Sequence, residues 1–238
     1  MVRRSPSRYS LVTPPRFQSL FETLFDLWFH PTVTQTTDAT PSGTGSPGTR
    51  ETLLVVAERL FLAEGYDKVS VRAICAAADA NPAAVHYHFG TKDDLTIALL
   101  ESRLAPCWAD ALASIDPEND SVRHVVDVLL APFVDLQCDP TGHLHLRLLS
   151  RFVLTHPTVG WTARWFGLDP FADLLLDAIP GLPSRAARRR WALAFQLILL
   201  RFGSSEPLDA QAVDALAGFV TAGLSAPPDP SPSEQETD

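Results

Sequence analysis

The sequence predicts an all-α protein, and three observations predict it. Between residues 49 and 225 apolar residues recur at helical spacing almost throughout. Ser, Thr and Asn stand just ahead of several of these runs and Gly just behind the first, which is how helices are opened and closed. No pair of alternating apolar and polar runs joined by an Asn-Gly type turn is present, so the strongest hairpin signal is missing.

The first helix follows from Leu53, Val56, Ala57, Leu60 and Phe61, at i, i+3, i+4, i+7 and i+8, with Thr49 as its cap and Gly65 as its stop. Val71, Ile74, Cys75 and Ala78 give the second, opened by the Ser70 hydroxyl. Asn81 is expected to cap a short third helix with Pro82 at its first position, where a missing N–H costs nothing. Thr91 and Asp94 have the spacing of a capping box and open a fourth helix with the stripe Leu95, Ala98, Leu99 and Ser102. Downstream, "SVRHVVDVLLAPFVDLQ", "GHLHLRLLSRFVLTH", "DPFADLLLDAI", "PSRAARRRWALAFQLILLRF" and "DAQAVDALAGFVTAGL" are helix-like as well.

Composition divides the 238 residues into four parts. Residues 1–48 are expected to be a flexible N-terminal extension, ending in a Thr/Ser/Gly/Pro tract too polar to order itself. Residues 49–95 form a first helical domain, 96–225 a second, and 226–238 a disordered tail. No apolar run is long enough for a bilayer span. The start has Arg3, Arg4 and Arg8, but Glu22 and Asp26 interrupt its apolar stretch, so it does not read as a signal peptide. Within it Phe17, Leu20, Phe21, Leu24, Phe25 and Trp28 make one helical stripe. Either this stripe docks on the body or on a membrane surface, or translation begins downstream, since Met1 is the only methionine. Three scattered cysteines, Cys75, Cys107 and Cys138, read as reduced thiols of a cytoplasmic protein. The formal charge of −9 opposes a generally basic coat and allows a local contact surface.

Residues 81–92, "NPAAVHYHFGTK", are too short and too polar-aromatic for ordinary core. With the helix before them and "AADA" between, they make a helix-turn-helix pattern whose turn places Asp79 where the left-handed backbone region is needed. A helix entering a major groove must be slim at its leading edge, and Ala83 and Ala84 are. His86, Tyr87 and His88 follow at the margin, where ring N–H and phenol O–H can meet phosphates, and Lys92 adds a cation beside a helix N-terminus. A metal pair at His86 and His88 is disfavoured, because i and i+2 point to opposite sides of a helix.

Residues 50–100 resemble the N-terminal DNA-binding domain of TetR-family transcriptional regulators. The resemblance rests on Ala57, Leu60, Phe61, Gly65 and Tyr66, then Ser70, Val71, Arg72 and Ile74, then "NPAAVHYHFGTK" and Leu95. It implies DNA contacts from Ser70, Arg72, Pro82, Ala83, Ala84, His86, Tyr87, His88 and Lys92, with Arg72 best suited to guanine. His86 stands where the family commonly has Tyr. Residues 50–103 hold six Lys/Arg and eight Asp/Glu, a net of −2. A basic arm of Arg3, Arg4, Arg8 and Arg16 would compensate for that deficit.

The resemblance also implies a ligand-responsive homodimer, most often a repressor, on double-stranded palindromic operator DNA. Its last two helices would pair across a two-fold axis through Phe195, Leu199, Phe202, Val213, Leu216 and Val220. An aromatic-rich set between about 106 and 180 marks the expected pocket for a small acyl or aromatic effector: Trp108, Phe133, Phe152, Trp161, Trp165, Phe166 and Phe171, with His143, His145, Arg147 and Arg151 as polar contacts. No cofactor or metal is expected. No HExxH, GxSxG, phosphate-cradling glycine loop or paired-carboxylate motif points to an enzyme. The competing reading is a helical adaptor with weak or lost DNA binding, for which the net-negative first domain is the hint.

Overall fold

The computed structural model describes residues 47–116, 119–155, 161–163 and 166–227. The aromatic stretch 17–29, the linker after it, Trp165 and residues 228–238 lie outside them. Among the described residues the secondary structure is nine α-helices and one 3-10 turn, with no strand.

Polar side chains set most of the helix starts. α1 (Pro47–Glu64) begins two residues before Thr49 and ends at Gly65, whose φ of 85° lies in the region that favours glycine. After the 3-10 turn Tyr66–Lys68 comes α2 (Val71–Ala77), with Ser70 Oγ accepting from the Ala73 N–H at 3.1 Å. Asp79 then takes φ 49°, the positive value expected of the turn. α3 (Ala84–Phe89) starts two residues later than the sequence predicts. Asn81 Oδ1 accepts from the Ala83 N–H at 2.8 Å, so Asn81 closes a turn that carries Pro82 and Ala83 instead of capping the helix itself.

The capping box of α4 (Lys92–Ala113) is reciprocal: Thr91 Oγ1 accepts from the Asp94 N–H at 3.0 Å and Asp94 Oδ2 from the Thr91 N–H at 3.1 Å. Ser121 caps α5 (Val122–Gln137) and Asp209 caps α9 (Ala210–Leu224), each accepting an amide three residues on. The Asp139 carboxylate takes the N–H groups of Thr141 and Gly142 to start α6 (Pro140–Thr155). α7 (Asp169–Ala178) and α8 (Ser184–Phe202) complete the order.

α1 packs on α2, α4 and α6, and α3 packs on α2 and α4. α4 continues onto α5 and α6, while α8 lies against α6, α7 and α9, and α9 against α5. The α1 stripe is buried as expected at Leu53, Val56, Ala57 and Phe61, and Leu54 joins it. In α4 the buried line is Leu95, Leu99, Leu100 and Leu104; Ser102 is exposed, because the helix turns from the first three helices to α5 and α6 along its length. The α5–α6 turn is close: a Cβ on Gly142 would stand 2.3 Å from the Leu136 carbonyl oxygen, so only glycine fits there. The Gln137 amide pairs in both directions with the Leu208 backbone, at 3.0 and 2.8 Å, fastening the end of α5 to the loop before α9.

Candidate nucleic-acid interface and effector cavity

The inward faces of α2 and α3 are Ile74 and Cys75 on one helix and Ala84 and Val85 on the other, all buried. Burying that side turns Arg72, Pro82, Ala83, His86 and Tyr87 outward, with Ser70 exposed at the start of α2. Tyr87 is 56% exposed, and its ring stands edge-on to His88 at 5.0 Å. The sequence expectation for Ala84 is corrected: its methyl lies in the core, so Ala83 alone forms the slim leading edge. His88 is half-buried between Tyr87 and Phe89.

His86 Nδ1 lies 2.8 Å from the Gly90 carbonyl oxygen. A carbonyl only accepts, so Nδ1 carries the proton, and Nε2 is an acceptor on the neutral ring. Lys92 is also placed otherwise than expected. Its Nζ donates to the backbone oxygens of Tyr66 at 3.0 Å and Val69 at 3.1 Å, and lies 4.0 Å from the centre of the Tyr66 ring. The ammonium thus closes the carbonyl end of the 3-10 turn, where peptide dipoles favour a cation. The Tyr66 hydroxyl donates to Asp93. Burial first, and then that carboxylate, pushes the phenol above its ordinary range.

Two ties that sequence reasoning missed join this head to α6. His145, 5% exposed, donates from Nε2 to Glu58 Oε1 of α1 at 2.6 Å, and Arg103 of α4 approaches the same carboxylate at 3.6 Å while holding Glu51 at 2.8 Å. Burial holds the His145 imidazole below its ordinary value, opposed by the Glu58 hydrogen bond. Arg151, expected in the pocket, instead pairs with Asp67 at 2.8 Å and lies over the Tyr66 ring at 4.8 Å, which keeps the exposed Asp67 carboxyl below its usual range. Phe152 meets the Tyr66 ring edge-on at 5.7 Å. The signal in sequence is faint, a His and an Arg six residues apart on an apolar helix.

α6 also lines a cavity, through Leu149 and Val153. Trp108, Phe133, Phe166 and Phe171 line it as expected. Phe195 and Leu199 of α8 complete the wall, with Gly167 and Leu168. About 540 Å³ of free space lies between them, the solvent at its open mouth included. The remaining expected pocket residues are elsewhere. His143 donates to the Ser204 carbonyl at 2.8 Å, Arg147 is exposed on α6, and Trp161 stacks on Phe166 at 4.6 Å behind the lining. Trp165 lies outside the described residues. Glu101 of α4 holds the 161–163 segment, accepting from Thr162 and from the Ala163 N–H at 2.8 Å.

Residues 53–99, which span this head, match the family described as bacterial regulatory proteins, tetR family. The first helical domain of this chain is thus of the tetR-family type. The likeness extends to solved structures over most of the chain. NalD, the secondary repressor of the MexAB-OprM multidrug efflux pump in Pseudomonas aeruginosa, is 22% identical, with a TM-score of 0.51 over 75% of this chain and 96% of that one. The multidrug binding protein EbrR, solved with imidazole, is 25% identical, with a TM-score of 0.52 over 76% and 93%. A TetR-family member from Streptomyces coelicolor A3 is 23% identical, with a TM-score of 0.50 over 74% and 98%. No curated protein matches the chain significantly. The family so described is one of regulatory proteins.

The residues expected to pair two copies are corrected by burial. Leu199, Phe202, Leu216 and Val220 are core, and Phe195 and Val213 are half-buried against it. Phe195 meets Phe171 at 4.8 Å and Phe202 meets Phe133 at 5.2 Å within one chain. The outward line of α8 is Leu193, Leu197 and Leu200, with Leu193 53% and Leu200 62% exposed. Beside it α9 presents Ala215, Phe219 and Ala222, with Phe219 70% exposed. Both lines have the i, i+4, i+7 spacing of one helix face.

Proposed function

We propose that this chain is a homodimeric transcriptional repressor that holds a palindromic operator and is released by a small apolar effector. The observation that carries the reading is the outward face of α2 and α3 inside the family-matched head: Ser70, Arg72, Pro82, Ala83, His86 and Tyr87 share one exposed side. Arg72 is the base reader, its fork suited to guanine O6 and N7, and Tyr87 and Ser70 hold the strand backbone. His88 supports Tyr87 from the side.

The two copies meet through Leu193, Leu197 and Leu200 against Phe219, since a contiguous exposed apolar face on two adjacent helices is unusual for a monomer. Each dimer then sets two recognition helices roughly 34 Å apart, one turn of DNA. The effector occupies the cavity under α6, the helix that also holds the head through His145 and Arg151. A ligand that fits better when α6 is displaced favours a dimer whose helices no longer match the operator spacing. EbrR, as a multidrug binding protein of the same fold, supports the effector reading. The protein meets DNA and effector in the cytoplasm.

Selection from random duplex DNA with the full-length chain, at stated salt, tests the reading. Recovery of one palindrome whose binding is lost in Arg72→Ala is expected. A folded dimer that recovers nothing, or an Arg72→Ala variant that binds as wild type does, would favour the adaptor reading.

A further inference from the structure

The effector cavity has an unmet donor one ring behind its wall. Trp191 of α8 is fully buried, and its Nε1–H has no hydrogen-bond partner among the described residues. Its ring lies 5.6 Å from Phe171 and 5.5 Å from Phe195, the two aromatics that stand edge-on to each other and line the cavity. The other tryptophan at the site is satisfied: Trp108 Nε1–H donates to the Leu129 carbonyl at 3.1 Å. A buried N–H without an acceptor is costly, and phenylalanine would fill much of the same space without that cost. Packing alone does not account for an indole there.

The lining also restricts charge. Among the described residues no charged side chain lines the cavity, so a carboxylate or ammonium entering it would lose its hydration without replacement. A pure hydrocarbon would enter and leave the indole unmet. We infer that the effector is a neutral, largely apolar molecule bearing one hydrogen-bond acceptor, a carbonyl oxygen or its equivalent, that takes the Trp191 Nε1–H. Reaching it takes the acceptor past Phe195, which lines the cavity and is half-buried. This rests on the effector reading of the cavity and adds to it the class of ligand.

Acetophenone and 2-phenylpropene test it, because they differ by C=O against C=CH2 at nearly one shape. Their affinities are measured by calorimetry on the full-length protein, and the Trp191 indole N–H is followed by NMR, its resonance assigned by its loss in Trp191→Phe. The expected result is that acetophenone binds about tenfold more tightly, the gain of one satisfied buried hydrogen bond. The Trp191 proton then moves downfield with acetophenone only, and Trp191→Phe binds both probes alike. Equal affinities in wild type with an unmoved indole resonance would overturn the inference while leaving the cavity as a ligand site. If neither probe displaces any cavity resonance, the cavity reading falls and the inference with it. The wild-type resonance decides the matter even where Trp191→Phe folds poorly.

Discussion

Replacing Glu58 by leucine isolates the tie between the DNA-binding head and the body. In the folded chain the His145 N–H is buried and its acceptor is Glu58 Oε1 at 2.6 Å. Glu58→Leu leaves that donor unmet, a cost of about 1–3 kcal/mol, while Arg103 keeps Glu51 at 2.8 Å. His145→Leu leaves the carboxylate half-enclosed with Arg103 still near it, a cost of about 1–2 kcal/mol. The double variant removes both polar groups and restores apolar contact, so it is expected to lie within about 1 kcal/mol of wild type. The coupling energy of the cycle is then about 2 kcal/mol. Urea unfolding of the four proteins, at one fixed protomer concentration because dimer stability depends on it, measures the cycle. A coupling below about 0.5 kcal/mol would refute the tie. The pH dependence has a definite sign. Because burial lowers the His145 pKa in the folded state, the unfolded chain binds the extra proton first as pH drops. That part of the stability is present above the ordinary histidine value of about 6.5 and is lost as pH falls through the lower folded value. His145→Leu is expected to flatten that segment of the stability curve.

Three further outcomes are expected. Lys92→Ala should lower the melting temperature of the head by removing the cation that closes the 3-10 turn, and leave the salt slope of operator binding unchanged; a slope reduced by about one would restore a phosphate contact. Leu200→Glu should give a folded monomer by light scattering: each copy loses about 1.5–3 kcal/mol of apolar burial, so the dimer weakens at least about a hundredfold. Gly142→Ala should destabilise the chain by roughly 1–3 kcal/mol or more in thermal melts, because the Leu136 carbonyl that its Cβ meets at 2.3 Å is backbone and cannot turn away.

Local signals in the sequence were legible wherever one residue acts on its own neighbourhood. Ser70, Thr91 and Asp79 do in the structure what their side chains and backbone preferences predict, because a cap or a left-handed turn is decided within four residues. Asn81 misled by two positions, since its amide closes a turn as readily as it caps a helix. The exposed side of α2 and α3 was legible except at Ala84, and Lys92 was expected outward too. A small apolar side chain suits both a groove and a core, and a lysine beside open carbonyls is drawn inward. The helices of the body were harder. α8 is apolar on two faces, and periodicity ranks Leu199 and Leu200 alike; only the packing partners decide that one lines the cavity and the other is exposed. His143, Arg147 and Arg151 fall among aromatics in sequence, yet the partners of His143 and Arg151 come from residues 61 and 84 positions away.

α6 separates two tasks along one rod. Leu149 and Val153 touch the cavity, while His145, Arg151 and Phe152 hold the head. On the proposed function, changes in the first pair would alter which molecule is sensed without touching the hardware that reports it. The repertoire of inducers would then drift, or be re-engineered, in small steps, each intermediate remaining a working switch.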